Sequence, residues 1–304
     1  MRVDFKSPMK SLSLKAPAKI NFYLNILGKR KDNYHEIESI VQSIGVYDIL
    51  YFEKIKRGIS VVCSNFHPLE EKDNLVYKAA ELFFDFTGLP PGIKITLQKR
   101  IPIGAGLGGG STDAATTLLA LNMLFDAKIP MSTLVNLSSQ LGTDVPFCLI
   151  RGTALLRGKG EKVYSLPSIK EGWLVLVYPN IHVSTSWAYS QIRDRLTERK
   201  LNNKLNLKDL IKRIKSKQIQ GVKELLYNKL EEVVIEKFPL IGEIKKEFKR
   251  RGIADVLMSG SGSTVFAVVE SEKDAKRLAS SMQEKGKVYL TQPTEEKVFQ
   301  GGSG

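Results

Sequence analysis

Hydrophobic and polar residues alternate through much of the first 100 positions, which is the period of a strand with one buried face. The alternation predicts strands at 11–16, 19–27, 36–44, 49–56 and 93–99. A period near 3.6 predicts helices at 75–86, 114–125 and 131–141, the last ending before a glycine. Because the strands cluster and the helices come singly, the pattern favours an α+β fold over a regular βαβ repeat.

The second half of the chain also shows strand and helix periods, but its predicted helices are more polar. Strands are predicted at 153–157, 162–166 and 173–177, followed by polar helices to residue 252. A short strand at 254–258, a Ser/Gly loop at 259–263, a strand at 264–269, a helix at 273–285 and a strand at 288–291 complete the order. The change predicts two domains, 1–168 and 169–292, and a tail at 293–304.

The charge of the chain raises the question of a nucleic-acid partner. The 304 residues carry 46 Lys and Arg against 32 Asp and Glu, a net charge of +14. Much of the excess lies between Arg193 and Arg251, where acidic residues recur among the basic ones, as in Glu247-x-x-Arg250. Aromatic residues are not interleaved with these cations, so a solvated helical face is favoured over a nucleic-acid groove.

Other whole-chain features exclude several classes of protein. No apolar run approaches the roughly 20 residues that span a bilayer, and the first 12 residues lack the apolar centre of a signal peptide. Cys63 and Cys148 have no C-x-x-C spacing, which argues against a disulfide framework or a zinc site. We expect a cytoplasmic protein in which both thiols are buried and inert.

The densest chemical signal is a glycine run at 104–110 that leads into Ser111 and a helical pattern. Glycine permits positive φ and close approach of a ligand, and a helix start offers unpaired N–H groups, so the run predicts a phosphate site. No lysine follows the run, which argues against a P-loop. The spacing Gly104-x-Gly106-x-x-Gly109 matches the dinucleotide fingerprint, but the chain has no room for the second strand that this motif needs.

Isolated polar residues suggest chemistry without deciding it. Lys19 and Asn21 lie two apart on a predicted strand and so share a face. Asp144 follows Gly-Thr and precedes an apolar Val-Pro-Phe turn, where a carboxylate needs a partner or caps a helix. Tyr34 and His35 form an aromatic pair that could read a nucleobase or simply pack.

The order of these motifs, taken together, resembles the GHMP kinase superfamily. The blocks are Pro-Ala-Lys-Ile-Asn from residue 17, Asp-Asn-Tyr-His from 32, Lys-Arg-Ile-Pro from 99, the glycine run, Gly-Thr-Asp-Val-Pro-Phe from 142 and Met-Ser-Gly-Ser-Gly-Ser from 258. Within the superfamily, the Lys-Ile-Asn and Tyr-His blocks are similar to those of the 4-diphosphocytidyl-2-C-methyl-D-erythritol kinases.

The resemblance implies a two-domain α+β fold, with an N-terminal ribosomal-protein-S5-like ATP-binding domain, a C-terminal ferredoxin-like domain and a cleft between them. It implies ATP-dependent phosphorylation of the substrate's 2-hydroxyl in isoprenoid precursor biosynthesis, with ATP and Mg²⁺ as cofactors. A homoserine or mevalonate type of kinase is the nearest alternative, and a non-catalytic basic RNA-binding protein is a more distant one. We expect a monomer or weak homodimer with neither a nucleic-acid nor a membrane partner.

The resemblance also implies site residues. Lys19 and Asp144 would be the catalytic pair. The substrate would contact Asn21, Tyr34, His35 and Tyr189. The nucleotide would contact Asn74, Lys99, Pro102, Gly104, Gly106, Gly108, Gly109, Gly110, Ser111 and Thr112, the last standing where the family commonly has a serine. The metal ligands stay open, and Asp113 is interpreted as a first-turn acid stabilised by the helix dipole.

Overall fold

The computed structural model describes residues 9–64, 73–192 and 207–295. Within them, a first sheet has seven strands in the order β3-β4-β2-β1-β8, with β5 paired to β2 and β6 to β5. Its strands are β1 (Ser11–Lys29), β2 (His35–Lys54), β3 (Gly58–Cys63), β4 (Gly92–Gln98), β5 (Thr153–Gly158), β6 (Lys162–Ser165) and β8 (Tyr227–Asn228).

The four strands predicted for the first 56 residues are two long antiparallel strands, and that prediction was wrong in number. β1 and β2 pair along their whole length, with register shifts at Pro17/Ala18, Asn21/Tyr23 and Ile26/Gly28. The breaks in alternation therefore mark bulges and not strand ends. In β2 the predicted break falls where the neighbouring strand changes, because residues 37–42 pair with β5 and residues 49–54 pair with β4.

Four helices cover one face of this sheet, namely α1 (Leu75–Thr87), α2 (Gly109–Leu124), α3 (Met131–Ser138) and α4 (Val145–Ile150). Helix α2 is buried on nearly all sides, which explains why it lacks an amphipathic stripe. It begins at Gly109, five residues before the predicted start, and α3 ends three residues before its predicted end. Helix α4 was not predicted; its six residues include Pro146 in the first turn.

The second sheet is antiparallel and four-stranded in the order β11-β7-β10-β9. Its strands are β7 (Trp173–Tyr178), β9 (Val256–Met258), β10 (Val265–Val269) and β11 (Lys287–Thr291). The helices of this half are α5 (Thr185–Ser190), α6 (Leu207–Lys223), α7 (Glu231–Lys237), α8 (Pro239–Arg250) and α9 (Glu272–Ser281). Numbered within the second half, the strand order is 4-1-3-2 with crossover helices, and this arrangement is ferredoxin-like as predicted.

A shared core joins the two sheets. Ile20 and Phe22 of β1 are fully buried against Leu176 and Phe266 of the second sheet, and the two phenylalanine rings meet edge to face at 5.9 Å. The opposite face of β7, with Val175 and its neighbours, packs on α8 and α9. The molecule is therefore layered as helices, sheet, sheet and helices.

The chain crosses between the two halves more than once. β8 adds two residues of the second half to the edge of β1, and Pro293 pairs with Ile44 of β2. Residue 294, placed in the predicted tail, also donates its backbone N–H to Ser43 of β2 at 2.9 Å. The domain limits at 168 and 292 stay a prediction, and the tail from residue 296 lies outside the described residues.

Of the Glu and Lys/Arg pairs suggested by the sequence of the basic helices, the structure forms the pair of Glu247 with Arg250. Arg250 pairs with Glu247 at 2.9 Å, and Lys223 reaches both Asp255 and Glu270. These contacts support the interpretation of a solvated helical face, although residues 193–206 lie outside the described part of the chain. None of the helices in the described ranges is both long and apolar enough to cross a membrane.

Candidate active site

A cavity of about 400 Å³ is lined by residues from both halves of the chain. Most of the residues predicted for the site line this cavity, and they are Lys19, Asn21, Asn74, Lys99, Pro102, the five glycines at 104, 106 and 108–110, Ser111, Asp144 and Tyr189. Three predicted residues do not line it, namely Tyr34, His35 and Thr112. Asn74 also caps α1, because its side chain accepts a hydrogen bond from the N–H of Val76.

The glycine run is a backbone cradle that no other residue type could form. Gly104, Gly106 and Gly108 all have φ between 65° and 76°. A Cβ at Gly106 would lie 2.1 Å from the carbonyl oxygen of Ser259, and one at Gly104 would overlap the ring of His182. Because the Ser259 hydroxyl donates to the Gly106 carbonyl at 3.0 Å, the two small-residue loops support each other.

The cradle ends at the N-terminus of α2. Gly108 is the N-cap and supplies no side-chain hydrogen bond to the helix. The N–H groups of Gly109, Gly110 and Ser111 have no acceptor within the helix and lie at its positive end. This arrangement suits a phosphate. Thr112 lies deeper: its N–H bonds the Gly108 carbonyl at 2.9 Å and its side chain is fully buried.

The ammonium of Lys19 lies between an amide and a carboxylate. Its Nζ donates to Asn21 Oδ1 at 2.8 Å and is 3.2 Å from Asp144 Oδ2. Both Lys19 and Asn21 are buried, whereas the Asp144 side chain keeps 35% of its surface exposed. Asp144 stands at the N-cap position of α4, but its side chain makes no capping hydrogen bond, so the predicted capping alternative is not what holds the carboxylate. The carboxylate is therefore open toward the cavity and is held by one cation.

Lys99 lies in a different electrostatic setting, on the part of the cavity wall that also includes Asn74 and Pro102. Its ammonium contacts the buried carboxylates of Asp48 and Asp113, the latter at 2.8 Å. Burial alone would lower the pKa of Lys99, but the two carboxylates raise it. Burial, with a smaller contribution from Asp48, raises the pKa of Asp113 to about 8 in spite of Lys99. Asp113 is the fifth residue of α2, beyond its first turn, and belongs to a buried cluster with Lys99, so its interpretation as a first-turn acid was wrong.

Of the aromatic residues predicted for the substrate, Tyr189 lines the cavity. The rings of His35 and Tyr189 lie 5.3 Å apart at 33°, so His35 backs a residue of the cavity wall. Burial and the nearby carboxylate of Asp144 raise the pKa of Tyr189, which keeps its phenol protonated. Tyr34 is half-exposed, and the ammonium of Lys159 lies 4.5 Å from its ring.

Several residues of the site carried no usable sequence signal. Asp48 and Ser39 are single polar residues on a strand, and only their neighbours in space, Lys99 and Asn21, connect them to the cavity. The Ser/Gly loop at 259–263 was visible in the sequence, yet its contact with the glycine run was not. Cys63 is part-exposed and lines the cavity, so the expectation that both thiols are buried holds only for Cys148.

Comparison with known proteins places this geometry in a family. Residues 74–152 match the family described as GHMP kinases N terminal domain, and residues 207–288 match GHMP kinases C terminal. The 4-diphosphocytidyl-2-C-methyl-D-erythritol kinase of Acetivibrio thermocellus is 42% identical over 88% of this chain and 93% of its own length. The chain belongs to the 4-diphosphocytidyl-2-C-methyl-D-erythritol kinase family.

Further comparisons agree with membership of this kinase family. Its representative from Geobacter metallireducens is 41% identical over 90% of this chain and 95% of its own length. A crystal structure of a 4-(cytidine 5'-diphospho)-2C-methyl-D-erythritol kinase superposes with a TM-score of 0.78 at 33% identity, covering 92% of this chain and 98% of the other. Homoserine kinase from Cytophaga hutchinsonii has a TM-score of 0.74 at 18% identity over 97% of this chain and 99% of the other, which shows the fold alone. The predicted two-domain GHMP kinase fold is thus confirmed.

Proposed function

We propose that this protein phosphorylates the 2-hydroxyl of 4-diphosphocytidyl-2-C-methyl-D-erythritol with ATP, a step of isoprenoid precursor biosynthesis. One observation carries the proposal: a single cavity holds both the glycine cradle and the ion pair of Lys19 with Asp144. A kinase needs a polyphosphate site and a proton acceptor within reach of each other, and these two features meet that need.

The cradle accommodates the phosphates of ATP. Gly104, Gly106 and Gly108 expose backbone where a Cβ would clash, and α2 directs N–H groups into the same space. Lys99, Asn74 and Pro102 line the adjoining wall and would contact the rest of the nucleotide. The cluster around Lys99 would act mainly by fixing this wall, since two buried carboxylates already engage its ammonium.

The donors around the cradle also fit Mg²⁺ that arrives with ATP. In the described part of the chain, no group of three His, Cys, Asp or Glu side chains is placed to hold a metal. Mg²⁺ usually keeps several waters and binds substrate phosphates with one or two protein oxygens. The Ser111 hydroxyl, on the cavity wall at the start of α2, is the side chain that would hold it. When bound, the metal would neutralise charge on the phosphates.

The proton transfer belongs to Asp144. Its exposed carboxylate accepts the proton of the 2-hydroxyl as that oxygen bonds to the γ-phosphorus and the bond to the β-phosphate oxygen breaks. The ammonium of Lys19, 3.2 Å away, offsets the negative charge that gathers around the attacking oxygen. Positioning of the two substrates supplies the rest of the rate enhancement.

The aromatic residues predicted for the site would bind the cytidine. Tyr189 lines the cavity with His35 behind it, and the half-exposed ring of Tyr34 lies beside the cation of Lys159. Flat rings suit a nucleobase, which can stack on them. This arrangement favours a cytidine substrate over homoserine or mevalonate, neither of which has a base to stack.

A coupled assay with ATP tests the proposal by comparing the diphosphocytidyl alcohol with homoserine and mevalonate. We expect turnover of the cytidine compound, and preferential turnover of another alcohol would contradict the substrate assignment. Tyr34→Ala should raise KM for the cytidine substrate roughly 5- to 100-fold, the scale of one base–aromatic stacking contact. Exposed Tyr164, on β6, offers a matched control, because Tyr164→Ala should leave KM unchanged.

The remaining assignments stay predictions. Steep salt-dependent RNA affinity without phosphoryl transfer would instead favour the basic RNA-binding alternative. The cytoplasmic location and the monomeric or weakly dimeric state are proposed on the sequence alone. Sedimentation of the purified chain would test the latter.

A further inference from the structure

We propose that Ser39 is a positioning residue that fixes the side-chain amide of Asn21 so that its oxygen faces the ammonium of Lys19. The inference rests on the proposed function for its kinetic test, but its geometry does not depend on the identity of the substrate. No pattern in the sequence distinguished Ser39, which is one polar residue within the buried strand β2.

The argument starts at a backbone carbonyl. The hydroxyl of Ser39 donates its one proton to the carbonyl oxygen of Tyr23 at 2.6 Å. A carbonyl oxygen can only accept, so the direction of this hydrogen bond is fixed. A register shift between β1 and β2 falls between Asn21 and Tyr23, next to the bonded carbonyl. The bulge therefore lies where the hydroxyl meets the backbone of β1.

The direction of that bond determines the next one. With its proton committed, the oxygen of Ser39 can only accept, and the Nδ2 of Asn21 donates to it at 2.9 Å. The amide oxygen of Asn21 must then lie on the other side, where it accepts from the Nζ of Lys19 at 2.8 Å. The carbonyl of Tyr23 thus orients the contact of Lys19 through two intermediate side chains.

The alternative orientation of the amide is unfavourable. A flipped Asn21 would direct its N–H₂ group at an ammonium and leave Lys19 with fewer acceptors in a buried setting. Without the Ser39 hydroxyl, nothing in the described contacts would hold the amide N–H₂ on its present side. Gly260 closes the opposite wall, because a Cβ there would lie 3.2 Å from Asn21 Oδ1 and 3.3 Å from Lys19 Nζ.

Burial makes this chain of contacts sensitive to a single hydroxyl. Ser39 is fully buried, and Lys19 and Asn21 are each less than a tenth exposed. Water therefore cannot readily replace the lost donor or acceptor. Ser39 does not line the cavity, so it would act on the reaction only through Asn21 and Lys19.

The test is a double-mutant cycle on the turnover of ATP and the diphosphocytidyl alcohol. Ser39→Ala should lower kcat by roughly 3- to 10-fold, the scale of one buried neutral hydrogen bond, with little change in either KM. In an Asn21→Ala background the same change should have no further effect on kcat. An equal loss in both backgrounds, or a change confined to KM, would overturn the inference.

The matched control is Thr153→Val. Thr153 is also a buried hydroxyl, and it donates to the side-chain oxygen of Gln42 at 2.6 Å without contacting Asn21 or Lys19. Its removal should leave kcat unchanged at a temperature where both variants are folded. A kcat loss from Thr153→Val that matches the Ser39→Ala loss would assign the effect to general destabilisation and refute a specific role.

A second variant keeps the test decisive if Ser39→Ala does not fold. Ser39→Cys preserves volume but donates and accepts only weakly, so the same kcat loss, absent in the Asn21→Ala background, is expected. If the unaltered protein proves inactive on the cytidine compound, the substrate assignment fails by itself. The cycle is then run with the alcohol that is turned over, where an unchanged kcat in Ser39→Ala would contradict the positioning role.

Discussion

Two lysines, Lys19 and Lys99, face the same cavity. The carboxylates around them differ in number and in exposure, and this difference distinguishes a lysine suited to the reaction from one that supports the fold. Among the residues that the structure describes, Lys19 pairs with the carboxylate of Asp144, whose side chain is 35% exposed. Lys99 contacts Asp48 and Asp113 there, and both are buried. A single accessible carboxylate remains free to exchange a proton with a substrate. A cluster with two buried carboxylates instead stabilises one arrangement of the chain around it.

The surroundings of the two lysines reinforce the difference. Asp48 also accepts the backbone N–H of Ile101 at 2.9 Å, which holds the segment that enters the glycine run. No comparable bond ties Asp144 to α4 in the described structure. From residue type alone, both lysines would be interpreted as phosphate ligands. Their carboxylate partners instead suit Lys19 to the reaction and Lys99 to a structural role.

The largest expected effect comes from Asp144→Asn. Without a carboxylate to accept the proton, kcat should fall roughly 10²- to 10⁴-fold, while the melting temperature changes little. Steady-state kinetics and thermal unfolding measure the two quantities. Asp126→Asn is the matched control, because that exposed aspartate pairs only with an exposed Lys128 in the described structure. Near-normal turnover in Asp144→Asn would refute the assignment of the base.

Removing the ammonium of Lys99 should destabilise the protein more than removing the ammonium of Lys19 does. Lys99→Met leaves the buried carboxylate of Asp48 without its cation and should lower the free energy of unfolding by about 3–5 kcal/mol. Lys19→Met leaves only the part-exposed Asp144 and should cost no more than about 1 kcal/mol while abolishing most activity. Urea denaturation of both variants checks this. Equal losses of stability would erase the distinction between the two lysines.

The smallest effect is a pH dependence that belongs to the Lys99 cluster. Unfolded Asp113 releases its proton near its ordinary pKa of 3.8, whereas the folded state retains it to about 8. Between these values the folded state binds more protons, so stability falls as pH rises. Asp113→Asn removes this dependence, and its stability relative to the unaltered protein should rise by more than about 1 kcal/mol from pH 4 to pH 8.

Chemical denaturation at several pH values measures that difference. Asp126→Asn again serves as the control, since an exposed aspartate should leave the pH profile of stability parallel to that of the unaltered protein. A parallel profile for Asp113→Asn as well would show that the buried carboxyl releases its proton as easily folded as unfolded. That result would contradict the raised pKa of Asp113 in the folded protein.

Local patterns were sufficient for most elements and for the phosphate cradle. The glycine run predicted its own role because positive φ and an open helix start are properties of consecutive residues. The resemblance of motifs supplied Lys19 and Asp144, which the structure brings to 3.2 Å across 125 positions of sequence. The long strands β1 and β2 were divided because a bulge and a change of neighbour interrupt alternation just as a strand end does.

Contacts between distant segments were beyond the reach of local patterns. Asp48 and Asp113 come from a strand and a helix 65 positions apart, and only packing reveals that they share Lys99. Asn228 likewise holds the Ser/Gly loop, donating to the carbonyls of Met258 and Gly260, although nothing around it in the sequence indicates this. Periodicity and turn chemistry act over a few residues, so the sequence by itself determined the elements and the cradle. The tertiary structure decided which charges meet and how much water reaches them, and that choice separates the reactive lysine from the structural one.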